Sequence, residues 1–121
     1  MNRVILTGNL CGDPEKTTTQ NGVTRTTFRI GVRRRYAQNG QHESDFFPVI
    51  TWRNTADFVA KYLTKGRKVL VEGTLQTRSY DAQDGSRRYV TEINAENVEV
   101  LDKAKQDGFV EVNDEELPWE K

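Results

Sequence analysis

The sequence predicts an all-β fold with a single helix, followed by a polar tail. Apolar residues alternate with polar ones over 4–10 and again over 28–32, which is the period-two pattern of half-buried strands. One segment, 54–65, instead has apolar residues at helical spacing. After Leu101 the apolar periodicity stops, so a β-rich domain that ends near this residue is expected.

Turn-forming residues separate the first strands. Asp13-Pro14 and Asn21-Gly22 mark a turn between the first two strands, and Asn39-Gly40 follows the second. The third strand, over 45–53, is apolar on both alternating sets, so each of its faces needs a burial partner such as another subunit or a ligand. Pro48 within it has no N–H for a sheet ladder, which favours an edge strand or a bulge.

The second half of the domain supplies the helix and two long strands. Asn54 can cap the helix, which is expected to end at Lys65-Gly66, where a cation and a glycine are both favoured. Strands follow over 69–80 and 88–101, with Asp84-Gly85 at the tip of their hairpin. Three strands, a helix and two long strands give the element order of a five-stranded OB-fold barrel with extended hairpins.

The formal net charge of zero hides a division of charge along the chain. Residues 1–101 carry 15 Lys+Arg and 11 Asp+Glu, whereas residues 102–121 carry 3 and 7. The expected organisation is a basic β domain over 1–102 and a disordered acidic C-terminal tail over 103–121. A basic body suits a polyanion, and an acidic tail suits a second partner or competes for the same surface.

Several functional classes are disfavoured by the residues present. Cys11 is the single cysteine and cannot form an internal disulfide or, without a histidine cluster, a zinc site. His42 is the only histidine and lies in a polar stretch, so nucleophilic catalysis is not expected there. The segment 81–92 lacks the oxygens of a calcium loop, and no GxxxxGK[ST] or GxGxxG motif occurs. We therefore expect no enzyme, no metal and no cofactor.

No segment approaches the ~20 apolar residues of a membrane span, and the N-terminal stretch is too short and polar for a secretory signal. A cytoplasmic location without a membrane partner is the resulting expectation.

Arginines are interleaved with aromatic residues near the strand ends. Arg78 and Tyr80 share one strand face, as do Arg33 and Arg35. Guanidinium groups neutralise phosphates and aromatic rings stack on bases, and stacking needs base faces that a duplex hides, so single strands of DNA or RNA are favoured. The alternative makes the aromatics core residues and the arginines a solvated face. The candidate phosphate-binding residues are Arg3, Arg33, Arg34, Arg35, Arg53, Arg78, Arg87 and Arg88.

Over residues 1–101 the chain resembles the bacterial single-stranded DNA-binding protein family, in a compact form such as phages or plasmids encode. The motifs that carry the resemblance are NRVILTGNL with the following DPE, DFFPVITWRNTADFVAKYLTKGRKVLVEGTLQTRSY, and RRYVTEINAENVEVL. The resemblance implies an OB barrel, usually a homotetramer, around which single-stranded DNA wraps without strong sequence preference. It places the base-stacking aromatics at Tyr36, Phe46, Trp52 and Tyr80.

The tail resembles the acidic C-terminal peptide through which this family recruits replication, recombination and repair proteins. Relatives usually end in a phenylalanine that carries the α-carboxylate, whereas here Glu120-Lys121 follow a tryptophan, and the Gly/Gln-rich linker of the family is missing. The residues that match the peptide are Asp114, Glu115, Glu116, Leu117, Pro118 and Trp119.

The leading hypothesis is a non-enzymatic, cytoplasmic and nucleoid-associated protein. It would coat and protect single-stranded DNA during replication, recombination and repair, and recruit DNA-processing proteins through its tail. An OB-fold adaptor of the replication machinery with incidental nucleic-acid binding is the alternative. A nuclease is disfavoured because the body has no clustered acids or histidines.

Overall fold

A computed structural model describes residues 1–35, 40 and 43–102, which form a six-stranded β-sheet and one helix. The predicted all-β fold with one helix is confirmed. The elements are β1 (Val4–Leu10), β2 (Glu15–Thr18), β3 (Thr24–Arg33), β4 (Ser44–Trp52), α1 (Arg53–Tyr62), β5 (Lys68–Asp81) and β6 (Arg87–Val100).

The sheet closes on itself into an OB-like barrel. Its strand order is β1-β5-β6-β4-β3-β2, and the ring is completed where the end of β1 pairs with β3, Asn9 opposite Gly31 and Leu10 opposite Ile30. The β4–β6 pairing is parallel, and the other pairings between the described strands are antiparallel. Residues far apart in the chain are therefore joined in one layer of backbone hydrogen bonds.

Alternate residues of the strands fill the barrel, and α1 covers one part of it. The buried Thr26 links the sheet to the helix, because its Oγ1 donates to the carbonyl of Ala56 at 2.9 Å. The buried Thr51 links β4 to β3, because its Oγ1 donates to the carbonyl of Thr26 at 2.7 Å. Both hydroxyls are thus satisfied without water. The apolar core consists of Leu10, Phe28, Ile30, Val49, Val59, Leu63, Val69, Val71, Ile93, Ala95 and Val98.

Closure of the barrel requires a glycine in β1. A Cβ at Gly8 would clash with the carbonyl oxygen of Gly31 and would lie 2.9 Å from Cγ1 of Ile30. Larger residues at Gly8 would push β1 away from β3 next to the two residue pairs that close the ring.

The structure differs from the sequence prediction by one additional strand and by the start of another. The structure adds β2, whose four residues are all exposed and which is held by its ladder to β3, from Glu15 opposite Thr27 to Thr18 opposite Thr24. An exposed strand of this kind has no apolar alternation to reveal it. Likewise β3 begins at Thr24 rather than Phe28. The inward residue of its first part is the polar Thr26, so the apolar alternation does not extend to the start of the strand.

The predicted start of the helix was wrong. Trp52 is the N-cap residue, with extended backbone at φ −133° and ψ 150°, and it makes no side-chain cap hydrogen bond. Asn54 therefore lies inside the first turn of α1 rather than at its cap. Arg53, the first helical residue, has φ 57°, so the chain enters the helix through a left-handed residue.

The predicted end of the helix at Lys65-Gly66 was also wrong. The chain turns to an extended conformation at Leu63, whose N–H donates to the carbonyl of Val59 at 3.1 Å and whose side chain is buried in the core. Burial of the Leu63 side chain contributes more stability than two further exposed helical residues, Thr64 and Lys65, would add. Gly66, with φ 92°, instead forms the turn into β5, and its N–H donates to the carbonyl of Leu10 at 2.9 Å.

The predicted turn at Asp84-Gly85 is confirmed, and Asn39 of the predicted Asn39-Gly40 turn lies outside the described residues. The prediction that Pro48 marks an edge strand or a bulge was wrong, because β4 lies between β3 and β6 and its register with β3 is continuous. Gly85 has φ 86° and its N–H donates to Ala82, so Asp84-Gly85 lies at the tip of the β5–β6 hairpin. Pro48 pairs with Arg29 of β3, while β6 pairs with β4 only further along, at Val49 and Ile50. Among the described strands, Pro48 thus has a ladder on one side only. In the described part of the chain, no helix is long and apolar enough to cross a membrane.

Candidate nucleic-acid interface

The strand pair β3–β4 displays two aromatic rings on its outer face. Phe46 lies opposite Gly31, and Trp52 lies opposite Arg25. Directly opposed residues of an antiparallel pair project from the same side, and the alternate residues, such as Phe28, are buried in the core. Phe46 is 54% exposed and Trp52 is 38% exposed. The interpretation of these aromatics as core residues is therefore excluded.

The β5–β6 hairpin continues this face. Asn94 of β6 is the parallel neighbour of Ile50, and it lies opposite Thr74 of β5. Counting in steps of two along β5 from Thr74 leads to Arg78 and Tyr80, which therefore share the face of Trp52. Tyr80 is 47% exposed. We call this continuous outer surface of β3, β4, β6 and the β5–β6 hairpin the outer face.

Phe46 is packed against the backbone of β3. A Cβ at Gly31 would lie 3.1 Å from Cε1 of Phe46 and 3.3 Å from Sγ of Cys11. The absence of a side chain at Gly31 thus lets the ring lie close to the strand. The thiol of Cys11 borders the same spot.

Trp52 has polar contacts on both sides. Its indole N–H donates to Oδ1 of Asn94 at 3.0 Å, and the guanidinium carbon of Arg25 lies 5.8 Å from the ring centroid. A second pair of the same kind occurs on the hairpin, where the Arg78 guanidinium carbon lies 6.0 Å from the centroid of Tyr80. Each distance is within the ≈ 6 Å range of cation–π attraction.

Sequence reasoning missed two cations of the outer face, Arg25 and Arg29. Arg25 lies opposite Trp52 and Arg29 lies opposite Pro48. The signal was available, because the inward positions Phe28 and Ile30 place every odd-numbered residue of this strand outward. With Arg33, these residues form a row of arginines along β3 beside the aromatic side chains of β4.

Four of the predicted phosphate-binding arginines already have carboxylate partners. Arg3 pairs with Glu72 and with Glu96, the latter at 3.5 Å. The hairpin pairs are Arg78 with Glu92 at 3.0 Å and Arg88 with Asp84 at 3.3 Å. Hydrogen bonds from Ser86 and, more weakly, from Arg88 hold the pKa of Asp84 below its usual value.

Arg34 is the most heavily paired of them. It bonds Asp45 through two nitrogens, the shorter contact being 2.8 Å, and its Nη1 lies 3.2 Å from Glu43. These hydrogen bonds and charges raise the pKa of Arg34, and the Arg34 hydrogen bond lowers the pKa of Asp45. The carboxylates neutralise most of the charge that Arg34 could offer to a phosphate.

The other four predicted arginines have no ion-pair partner among the residues that the structure describes. Arg33 lies opposite Ser44 at the end of β3, on the outer face, and Arg35 follows that strand. Arg87 begins β6, and Arg53 follows Trp52 directly. All four side chains are exposed.

Arg53 joins strand to helix in a strained conformation. Its φ of 57° is in the left-handed region, which costs a residue with a Cβ about 1–2 kcal/mol. Strain of this kind is common at functional positions. Here the left-handed backbone of Arg53 turns the chain immediately after Trp52, which is the last residue of β4.

Some predicted site residues lie outside the described residues. They are Tyr36 among the stacking aromatics and all of the tail residues, Asp114, Glu115, Glu116, Leu117, Pro118 and Trp119; His42 is likewise outside. Across 1–35, 40 and 43–102, no group of three or more His, Cys, Asp or Glu side chains could hold a metal ion.

Comparison with known proteins identifies the family of the chain. A profile of the Single-strand binding protein family matches residues 1–101. The chain is 48% identical over 103 residues to a single-stranded DNA-binding protein of Clostridium tetani, which covers 84% of this chain and 71% of that protein. It is 45% identical over 116 residues to single-stranded DNA-binding protein 3 of Clostridium acetobutylicum, covering 95% and 81%.

A third relative, the single-stranded DNA-binding protein of Bacillus cereus, is 50% identical over 103 residues, or 84% of this chain and 61% of that protein. The resemblance inferred from the sequence motifs is confirmed by these matches, and the fold agrees with it. Since the profile matches residues 1–101 of the 121 in the chain, the chain belongs to the Single-strand binding protein family.

Proposed function

We propose that the protein binds single-stranded DNA without strong sequence preference, coats it and protects it during replication, recombination and repair. The observation that carries this proposal is the display of Phe46, Trp52 and Tyr80 on one outer face together with arginines. Rings stack on any base and guanidinium groups neutralise any phosphate, so both contacts ignore sequence. The names of the three relatives support the same ligand.

The proposed binding residues are those predicted from the sequence, and they differ in the contact that each makes and in the charge that each offers to DNA. Phe46, Trp52 and Tyr80 supply stacking, and Tyr36 is proposed as a fourth ring. Arg33, Arg35, Arg53 and Arg87 are proposed as direct phosphate contacts because the described carboxylates leave them unneutralised. The arginines with carboxylate partners, Arg3, Arg34, Arg78 and Arg88, contribute less charge.

The rest of the proposal concerns the division of the chain, its assembly and its location. Residues 1–102 are proposed as the DNA-binding domain, and the acidic tail, 103–121, as the segment that recruits DNA-processing proteins through Asp114 to Trp119. Assembly into a homotetramer, nucleoid association in the cytoplasm, and binding without enzymatic activity or a cofactor complete the proposal.

A titration of dT oligonucleotides at two salt concentrations tests the central claim. Quenching of tryptophan fluorescence with an affinity that falls as salt rises is the expected result, and duplex DNA should not displace the oligonucleotide. Equal competition by duplex would contradict the stacking mechanism and favour the adaptor. Poly-U as competitor compares RNA with DNA, and labelled DNA incubated with magnesium tests the absence of cleavage.

Deletion of residues 108–121 separates the two parts of the proposal. The truncated protein should bind dT at least as tightly as the full chain, because an acidic segment has been removed from a basic surface. It should also lose association with DNA-processing proteins. Light scattering on the full chain reports the assembly, with a tetramer mass expected.

A further inference from the structure

Trp52 is held on the outer face by side chains from the strands on either side of it. Asn94 of β6 accepts the indole N–H at 3.0 Å, and Arg25 of β3 places its guanidinium carbon 5.8 Å from the ring centroid. Arg25 is also the direct register partner of Trp52. The ring is thus bridged to both neighbouring strands while 38% of the residue remains exposed.

The two contacts restrict different motions of the ring. A hydrogen bond to Asn94 fixes which edge of the indole faces β6, and so restricts rotation about the side-chain torsions. A guanidinium over the ring holds it against tilting towards or away from β3. A side chain that is ordered before binding loses less conformational entropy when a ligand stacks on it.

We propose that Arg25 and Asn94 are positioning residues that hold Trp52 as a preformed stacking platform for a base of single-stranded DNA. The proposal rests on the DNA-binding function proposed above. Arg25 then acts through the indole ring rather than through a phosphate, and its planar group matters more than its charge. Arg29 differs in this respect, because it faces Pro48 and has no described aromatic contact.

Arg29 therefore gives a matched control for Arg25. Both arginines belong to β3, both project from the outer face, and they are separated by one intervening outward residue. A phosphate contact and a positioning contact differ in salt dependence, because each neutralised phosphate of a single strand contributes about 0.7 to the slope of log K against log salt.

The experiment measures dT binding across a salt series. It uses the full chain with Trp119→Phe, so that Trp52 is the remaining one of the 2 tryptophans. Arg25→Ala should weaken binding about 2- to 5-fold with an unchanged salt slope, and Arg25→Lys should not restore the affinity. Arg29, which is on the outer face and has no ion pair among the described residues, is taken as a further phosphate contact, so Arg29→Ala should reduce the slope by up to about 0.7. A reduced slope in Arg25→Ala together with rescue by Arg25→Lys would overturn the proposal.

Double-mutant cycles provide a second measurement, read as the anisotropy of fluorescently labelled dT because the Trp52 variants of this parent contain no tryptophan. Arg25→Ala should have almost no effect in a protein that already carries Trp52→Ala, and Asn94→Ala should have almost no effect beside Trp52→Phe, which has no N–H to donate. Additive losses in both cycles would refute a role through Trp52. Failure of the Trp119→Phe parent to bind dT would instead refute the proposed function itself.

The free protein offers a readout that DNA contacts cannot influence. Time-resolved fluorescence anisotropy should show faster local motion of Trp52 in Arg25→Ala and in Asn94→Ala than in the parent, and no change in Arg29→Ala. Identical ring motion in all four proteins would show that the two residues do not position Trp52. Thermal denaturation confirms that each variant is folded.

Discussion

Arg78 donates from Nε to Oε2 of Glu92 at 3.0 Å, and the two side chains differ sharply in exposure. The Arg78 side chain is 53% exposed, whereas that of Glu92 is 4% exposed. The second carboxylate oxygen, Oε1, is buried without a hydrogen-bond partner among the described residues. Arg78 is therefore both a cation of the outer face and the described ion-pair partner of a buried carboxylate.

Removal of Arg78 should cost stability as well as DNA affinity. Arg78→Ala leaves the buried Glu92 carboxylate without its ion pair, and we expect a loss of about 1–3 kcal/mol in the free energy of unfolding. Addition of Glu92→Gln should recover most of the stability but not the affinity for dT. Urea denaturation measures the first quantity and oligonucleotide titration the second.

Arg87→Ala is the control, since Arg87 is an exposed arginine of the same hairpin without a described ion pair. It should weaken binding and leave unfolding unchanged. An equal loss of stability in Arg78→Ala and Arg87→Ala would contradict the structural role of the Arg78–Glu92 pair.

Trp52→Ala and Tyr80→Ala should each weaken dT binding without unfolding the protein. The expected loss is about 1–3 kcal/mol of binding free energy for each base that no longer stacks. Tyr62→Ala is the matched control, because Tyr62 is 54% exposed and packs on Phe58 in α1, outside the strands of the outer face. If both interface variants bind like the parent, the assignment of these rings to base stacking is wrong.

Arg33 and Arg34 are neighbours in sequence but should differ in salt dependence. Arg34 is neutralised by Asp45 and Glu43, whereas Arg33 has no ion pair among the described residues. Arg33→Ala should reduce the salt slope of dT binding by about 0.7, and Arg34→Ala by clearly less. Equal reductions would mean that DNA displaces both carboxylates from Arg34.

Asp102 should contribute stability at neutral pH that is lost in acid. Partial burial raises the pKa of this carboxyl, but hydrogen bonds from Arg67 Nε at 2.8 Å and the Lys68 N–H at 3.1 Å outweigh burial and lower the pKa below 3.8. Since the folded pKa is the lower one, the contribution is complete above the unfolded pKa and disappears as pH falls through the folded pKa.

Asp102→Asn should therefore be less stable than the parent in urea at pH 7, and the difference should shrink as the pH falls below the ordinary carboxyl pKa of 3.8. Asp57→Asn serves as the comparison, because the Asp57 carboxylate is 56% exposed and its ion pair with Lys16 spans 3.8 Å. A stability difference that stays constant from neutral to acid pH would refute the role of the Asp102 charge.

Arg53→Gly should stabilise the protein. Glycine adopts the left-handed backbone of this position without strain, and after its larger chain entropy is subtracted we expect a gain of up to about 1 kcal/mol. Arg53→Ala keeps the strained Cβ and should give no gain. Thermal denaturation measures the stability of both variants. An equal gain in stability in both would assign the effect to loss of the arginine side chain instead of to relief of backbone strain.

Elements with apolar alternation could be predicted from the sequence, and elements without it could not. β1 and the core part of β3 follow their alternating residues, and the hairpin tip follows Asp84-Gly85. β2 is exposed at every position, so only its pairing with β3 reveals it. The helix ends where Leu63 enters the core, which depends on the rest of the barrel.

The site was predictable where cation and ring are neighbours along the chain. Arg78 and Tyr80 belong to this class. Arg25 and Trp52 are instead neighbours across two strands, and the register that brings them together is set by the whole β3–β4 ladder. For the same reason the sequence could not show that Arg34 is neutralised by carboxylates.

The closing of the barrel also governs when the protein can fold during its synthesis. Of the described strands β1 is synthesised first, yet its long ladder is with β5, from Val4 opposite Gly73 to Asn9 opposite Lys68. At about 5–20 residues per second, several seconds pass before that partner is made. β5 in turn pairs along its length with β6, which ends at Val100. A nascent chain therefore completes the barrel only after nearly the whole domain has been translated.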